Sequence, residues 1–138
     1  MKLSTRSRYC VRLLVDLARY GNQNPVSMGE ISKRQKISVK YLEQLIRPLK
    51  QANLTISMRG PKGGHQLTKK PEEITLGEIV RLFEVPNERM NYGSTTKKNS
   101  ISDEYQVQQA WKSATRVLYN KLDSITIDDL AKGNISEI

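Results

Sequence analysis

Cysteine and histidine are almost missing from this chain: its 138 residues contain one of each, Cys10 and His65. A single thiol cannot close an internal disulfide, so the core must hold the fold, and a reducing cytoplasm is the expected setting. One histidine supplies no Ser/His/Asp set, and one histidine plus one distant cysteine have no metal-ligand spacing. No apolar run approaches the ~18 to 20 residues of a membrane helix, and Lys2 to Arg12 is too charged to hold the apolar part of a signal peptide. A soluble protein with no membrane partner is therefore expected. A Walker-type phosphate loop and a strand-linked dinucleotide fingerprint are also lacking, so no enzyme site is proposed. The paired Asp128 and Asp129 fall at an expected helix N-terminus, where acidic residues complement the dipole, and need no metal.

The chain does have charge, unevenly placed. Lys and Arg number 23 against 14 Asp and Glu, a formal net charge of +9. Residues 1–70 hold 15 cations and 3 acids and residues 71–138 hold 8 and 11, so the first half stands at +12 and the second at −3. Clustered Lys and Arg gain affinity for polyanions by releasing condensed counterions, which points to nucleic acid first and an anionic membrane second.

Periodicity organises the first half. Cys10, Val11, Leu13, Leu14, Leu17 and Ala18 form a helical stripe over about Thr5 to Tyr20, capped by Ser4 or Thr5 and ended by Gly21; Cys10 reads as a small core residue within it. Ser27-Met28-Gly29-Glu30 is a capping-box pattern opening a short helix to about Gln35. Ser38 then caps a second helix with Leu42, Leu45, Ile46 and Leu49 inward, where Pro48 should kink or tighten the final turn. Two helices this close make a helix-turn-helix. Leu54 to Met58 alternates apolar and polar residues as an edge strand does, and Leu67 belongs to a second short run. Between them Arg59-Gly60-Pro61-Lys62-Gly63-Gly64-His65 reads as a glycine-rich hairpin loop, the wing of a winged helix-turn-helix, closed by Pro71.

In the second half, Thr75-Leu76-Gly77-Glu78 is another box pattern, opening a helix with Leu76, Ile79, Val80 and Phe83 inward. Pro86 to Ile101 lacks apolar periodicity and reads as a flexible loop. From Asp103 to about Leu122 a long helix carries Val107, Ala110, Trp111, Ala114, Val117, Leu118 and Leu122, a stripe that needs a cover; a short helix follows from Thr126. The expected fold is mainly α (α+β): a winged head over residues 1–71, a connecting helix over 72–85, a loop over 86–102, and the long and short helices over 103–138.

A second helix of this kind sets its N-terminal turns against base edges in the major groove, which selects Ser38, Val39, Lys40, Tyr41, Glu43, Gln44 and Arg47. Gln44 suits adenine, Glu43 suits cytosine, and Lys40 and Arg47 suit guanine or phosphate. On the wing, Gly60 and Gly63 let the backbone approach DNA, Arg59 and Lys62 project toward a narrow minor groove, and His65 is grouped with them.

These residues carry a resemblance. Met1 to Thr5 with Arg8-Tyr9, the stretch Ile37 to Leu45, the wing Arg59 to Leu67, and the tail from Trp111 through Leu122 to Leu130 are similar to the IscR-like (Rrf-two) family of bacterial winged-helix transcription regulators. The similarity spans nearly the whole chain outside Pro86 to Ile101. It implies a homodimer whose long helices cross, using the Val107 to Leu122 stripe, and whose two heads meet an imperfect palindrome in double-stranded DNA. By match, Tyr41, Glu43 and Gln44 face the major groove, Arg59 and the wing glycines the minor groove, and Tyr9 and Ser38 the phosphates.

One departure bears on cofactors. Many family members hold a [2Fe-2S] cluster through three closely spaced cysteines in the loop before the long helix, and such clusters require thiolates. Here that region offers Ser94, Asn99, Ser100 and Tyr105 instead, so no metal and no cluster is expected. The expectation is a repressor, cofactor-free and answering a small-molecule or protein effector, with the homodimer implied by the resemblance and a link to cysteine or sulfur supply implied by similarity to family members that lack the cluster cysteines. The alternative is a protein-interaction adaptor that keeps the fold and binds an acidic partner.

Overall fold

The computed structural model describes residues 3–84 and 102–137. The expected 86–102 loop, with Ser94, Asn99 and Ser100, lies outside the described residues apart from Ser102. Helix α1 is Thr5–Tyr20: the Ser4 hydroxyl accepts from the Ser7 N–H at 3.2 Å, and the Gly21 N–H ends the helix on the Leu17 carbonyl at 2.8 Å. Its stripe of Cys10, Leu13, Leu14 and Leu17 is buried, and α1 packs against every other helix of the head and against the wing. At roughly 1.5–3 kcal/mol for each large apolar side chain buried, this stripe makes α1 the central element.

Helix α2, Met28–Gln35, starts at Ser27, whose hydroxyl accepts from the Glu30 N–H at 3.2 Å. Lys36 ends it in the left-handed region at φ 56°, and Ser38 caps helix α3, Val39–Gln51, so three residues reverse the chain between the two helices. The helix-turn-helix is thus made by one strained residue and two serine caps. Pro48 lies inside α3, and the helix continues past it to Gln51. Its missing N–H removes the bond that the Gln44 carbonyl would accept, and the chain leaves α3 through a tightened turn, with the Asn53 N–H reaching the Lys50 carbonyl at 3.0 Å.

Strands β1 (Thr55–Met58) and β2 (Gly64–Leu67) pair antiparallel, with Thr55 opposite Leu67 and Met58 opposite Gly64. The apolar–polar alternation of β1 does not sort its burial: Thr55 is buried, while Ile56 and Met58 are about half exposed and Ser57 is exposed too. Leu54 packs before the strand begins, and within the strand Thr55 is covered by the head while Ile56 and Met58 stay open. His65, expected on the loop, belongs to β2 instead, and it exchanges backbone bonds of 2.9 and 2.8 Å with Val26, which covers the free edge of the strand. Gly64 permits that contact, since a Cβ there would sit 2.5 Å from the Val26 carbonyl.

A 3-10 turn at Pro71–Glu73 leads to helix α4, Leu76–Phe83, with Ile79 and Val80 buried. The Thr75 hydroxyl caps Glu78, but the Glu78 carboxylate takes Lys69 at 3.3 Å instead of completing the box. Helix α5, Asp103–Asp123, lies against α4, and helix α6, Ile127–Lys132, packs under α1. The full capping box occurs at α6, where Thr126 and Asp129 bond each other's backbone at 3.0 and 2.9 Å. The starts of α4 and α6 are joined: Thr75 bridges Thr126, the Leu76 N–H meets the Ile125 carbonyl at 2.9 Å, and the Ile127 N–H meets the Ile74 carbonyl at 2.8 Å. No helix among the described residues is long and apolar enough to cross a membrane.

Candidate nucleic-acid interface

The two faces of α3 are sorted as its spacing dictates. Leu42, Leu45, Ile46 and Leu49 are buried, whereas Ser38, Val39, Lys40, Glu43, Gln44 and Arg47 are exposed. Ser38 has a structural task already, since its hydroxyl accepts from the Tyr41 N–H at 3.2 Å. Tyr41 is half-buried because its ring meets Tyr9 of α1 edge-on, with centroids 5.7 Å apart and planes at 85°. This contact brings Tyr9 to the first turn of α3, where the two tyrosines form one surface.

On the wing, Arg59, Gly60 and Lys62 are exposed and Gly63 is half-exposed. Gly60 takes φ 113°, a conformation costly for other residues, and the Gly63 N–H returns to its carbonyl at 2.9 Å. A side chain at Gly63 would overlap the Met58 carbonyl, so the turn is tight and its backbone is open to outside approach. Lys50 ties α3 to the wing by donating to the Ser57 hydroxyl at 2.9 Å. His65 differs from the loop residues: its Nδ1 is buried without a partner, and burial, with Lys50 adding to it, pushes its pKa down. The Oγ1 of Thr55, on the same face of the hairpin, is likewise buried and unpartnered.

Sequence reasoning missed the network behind these elements. Asp16 of α1 is fully buried and accepts from Arg34 Nε at 2.9 Å, Arg34 Nη2 at 2.7 Å and Gln35 Nε2 at 3.0 Å. The Arg34 guanidinium also lies 4.0 Å from the centroid of the Tyr20 ring. Arg12 donates from Nε to Gln35 Oε1 at 3.3 Å and from Nη2 to the Gln35 carbonyl, and stands 5.3 Å over the Tyr9 ring. The available signal was an acid set among Leu13, Leu14 and Leu17, because a carboxylate on a core stripe demands a buried partner.

Further along, the α5 stripe is largely uncovered within one chain. Val107, Trp111 and Val117 are exposed by 52%, 61% and 66%, Ala110 and Ala114 are exposed, and Leu118 is half-buried. Leu122 departs from this set, being buried in its own chain, where α5 docks on α4. At that dock Arg81 grips Asp123 at 2.6 and 2.9 Å, beneath the Tyr119 ring. Gly77 makes room for the pair, as a Cβ there would overlap the Asp123 carboxylate.

A cluster held by thiolates does not fit this chain. The sequence has one cysteine, and its thiol is buried in α1 against the Leu45 carbonyl, with its pKa pushed up to about 12 by burial. Among the described residues no group of three or more His, Cys, Asp or Glu side chains could hold a metal ion.

A helix-turn-helix with an exposed polar reading face, followed by a glycine-turned wing, defines a winged-helix DNA-binding transcription regulator. Residues 3–133 match the family described as "Rrf2: Iron-dependent Transcriptional regulator", and the chain belongs to that family. It is 39% identical over 135 residues to Protein rrf2 of Nitratidesulfovibrio vulgaris, covering 96% of this chain and 88% of that one. The structure of T. potens IscR is similar at a TM-score of 0.78 and 34% identity, covering 99% of this chain and 90% of that chain. The structure described as CymR (YrzC), the global cysteine regulator of B. subtilis, is similar at a TM-score of 0.69 and 32% identity, covering 96% and 97%. Such regulators are not enzymes.

Proposed function

We propose that the chain is a sequence-specific, homodimeric repressor that reads an imperfect palindrome without an intrinsic iron-sulfur cluster. The observation that carries this reading is the α3 face, with Lys40, Glu43, Gln44 and Arg47 exposed around Tyr41 while the opposite face is core. Lys40, Glu43, Gln44 and Arg47 read base edges or adjacent phosphates, Arg59 enters the minor groove from the wing, and Tyr9 and Ser38 meet the backbone. Lys62 and the backbone of Gly60 and Gly63 steady the wing, and His65 supports it from β2. The Val107 to Leu118 stripe of α5 pairs with a second copy, and an effector acts at these helices. Likeness to a cysteine regulator supports a regulon concerned with sulfur supply.

The test is binding of double-stranded fragments selected from the source genome, measured at several salt concentrations. Arg59→Ala and Tyr41→Ala should each weaken specific binding by about 1–3 kcal/mol, and unchanged affinity and specificity in both would refute the surface. Exposed Ile56 and Met58 on the wing favour a second reading, an adaptor docking a partner protein. An adaptor would bind random and genomic DNA equally, and only at low salt.

A further inference from the structure

We infer that Arg12 is a clamp for a DNA backbone phosphate beside the reading helix, positioned by Asp16 acting through Gln35; this rests on the DNA-binding reading above. Arg12 is exposed at the junction of α1, the end of α2 and the first turn of α3. Three contacts fix its guanidinium: the Gln35 side chain, the Gln35 carbonyl and the Tyr9 ring. Gln35 cannot swing away, because its amide is bonded to the buried Asp16 carboxylate at 3.0 Å. The planar fork has five N–H donors, and Nε and one N–H of Nη2 are used within the protein. Both N–H groups of Nη1 and one of Nη2 have no protein partner among the described residues.

An arginine held this way has already lost its rotamer freedom during folding, so binding an anion costs little further entropy. Its free edge presents parallel donors, the geometry that phosphate oxygens accept. The neighbouring aromatic pair of Tyr9 and Tyr41 lies at the start of α3, so the ligand at this edge is the sugar-phosphate strand flanking the groove that α3 enters. A free surface lysine at this position would bind the same charge with less orientation.

The experiment compares wild type, Arg12→Gln and Gln35→Ala on a genome-selected fragment and on random DNA over a salt series, with thermal unfolding followed in parallel. Arg12→Gln should weaken both DNAs about tenfold and lower the slope of log affinity against log salt by about one for each bound chain. Gln35→Ala keeps the charge and loosens the side chain, so it should lower affinity less and leave the slope intact. If Arg12→Gln keeps the wild-type slope, Arg12 only caps the end of α2 and the inference fails alone. If wild type itself shows no preference for the selected fragment, the DNA-reading proposal fails first, which the variants would not be needed to show.

Discussion

Arg34 grips Asp16 with both Nε and Nη2, and the carboxylate it holds has no contact with solvent. Removing one partner strands a buried charge, so Arg34→Ala should lower the stability of the fold by about 3 kcal/mol, read as a fall in the denaturant midpoint. Replacing both partners, Asp16→Leu with Arg34→Met, should recover most of that loss, because an apolar pair avoids the desolvation cost. A double variant no more stable than Arg34→Ala would show that the pair does more than neutralise itself.

Two helical glycines should respond with opposite signs. A methyl at Gly77 overlaps the Asp123 carboxylate, so Gly77→Ala should cost about 1–3 kcal/mol by parting α4 from α5. Gly29 in α2 has only the Ser27 Oγ nearby, at 3.8 Å, so Gly29→Ala should stabilise by about 0.5–1 kcal/mol through helix propensity. Calorimetric unfolding of the two variants beside wild type checks both signs.

The proposed homodimer makes a separate demand on α5. Trp111 is 61% exposed in one chain, so Trp111→Glu should leave the fold of that chain intact while a charge in the α5 seam drives sedimentation to the monomer mass. DNA affinity should fall with it, since two heads would no longer be linked. A variant that stays dimeric removes α5 from the interface.

Glu84 connects the end of α4 to the start of α1. Its carboxylate accepts from the Ser4 N–H at 2.8 Å and the Ser7 hydroxyl at 3.3 Å, and the Ser4 backbone bond is the main reason its pKa lies below the ordinary 4.5. A carboxyl whose pKa is depressed by folding adds stability above its unfolded value and loses it as pH falls through the folded value. Wild type should therefore melt above Glu84→Gln at neutral pH, with the gap closing as the solution is acidified below pH 4.5. A gap constant with pH would mean that the charge on Glu84 plays no part.

Local signals governed most of the fold. Ser4, Ser27, Ser38, Thr75, Ser102 and Thr126 each cap a helix, and the apolar spacing of α1 and α3 matches what is buried. Features set by distant partners were not legible. The burial of Thr55 beside exposed Ile56 depends on how the hairpin lies against α3, which alternation along four residues does not encode. The glycines before His65 suggest a loop, whereas it is a strand residue through its pairing with Ser57 of β1, with Val26 bridging its other edge. Asp16 is not legible as the centre of a network because Arg34 and Gln35 reach it from another helix. The Glu78 carboxylate chose Lys69 over its own cap, and no local rule ranks those two options.

The stapled bases of α4 and α6 have a consequence for chain length. Ile74 to Leu76 and Ile125 to Ile127 are bonded to one another, and α4 is further held on α1 through buried Ile79 and the Glu84 bonds to Ser4 and Ser7, so the starts of α4 and α6 stay together whatever the length of chain that joins α4 to α5. Closing a flexible loop costs free energy that grows only with the logarithm of its length, about 0.6 kcal/mol for each doubling. A change of length between α4 and α5 should therefore leave the head in place, whereas a single insertion between Gln35 and Ser38 would turn α3 away from α2.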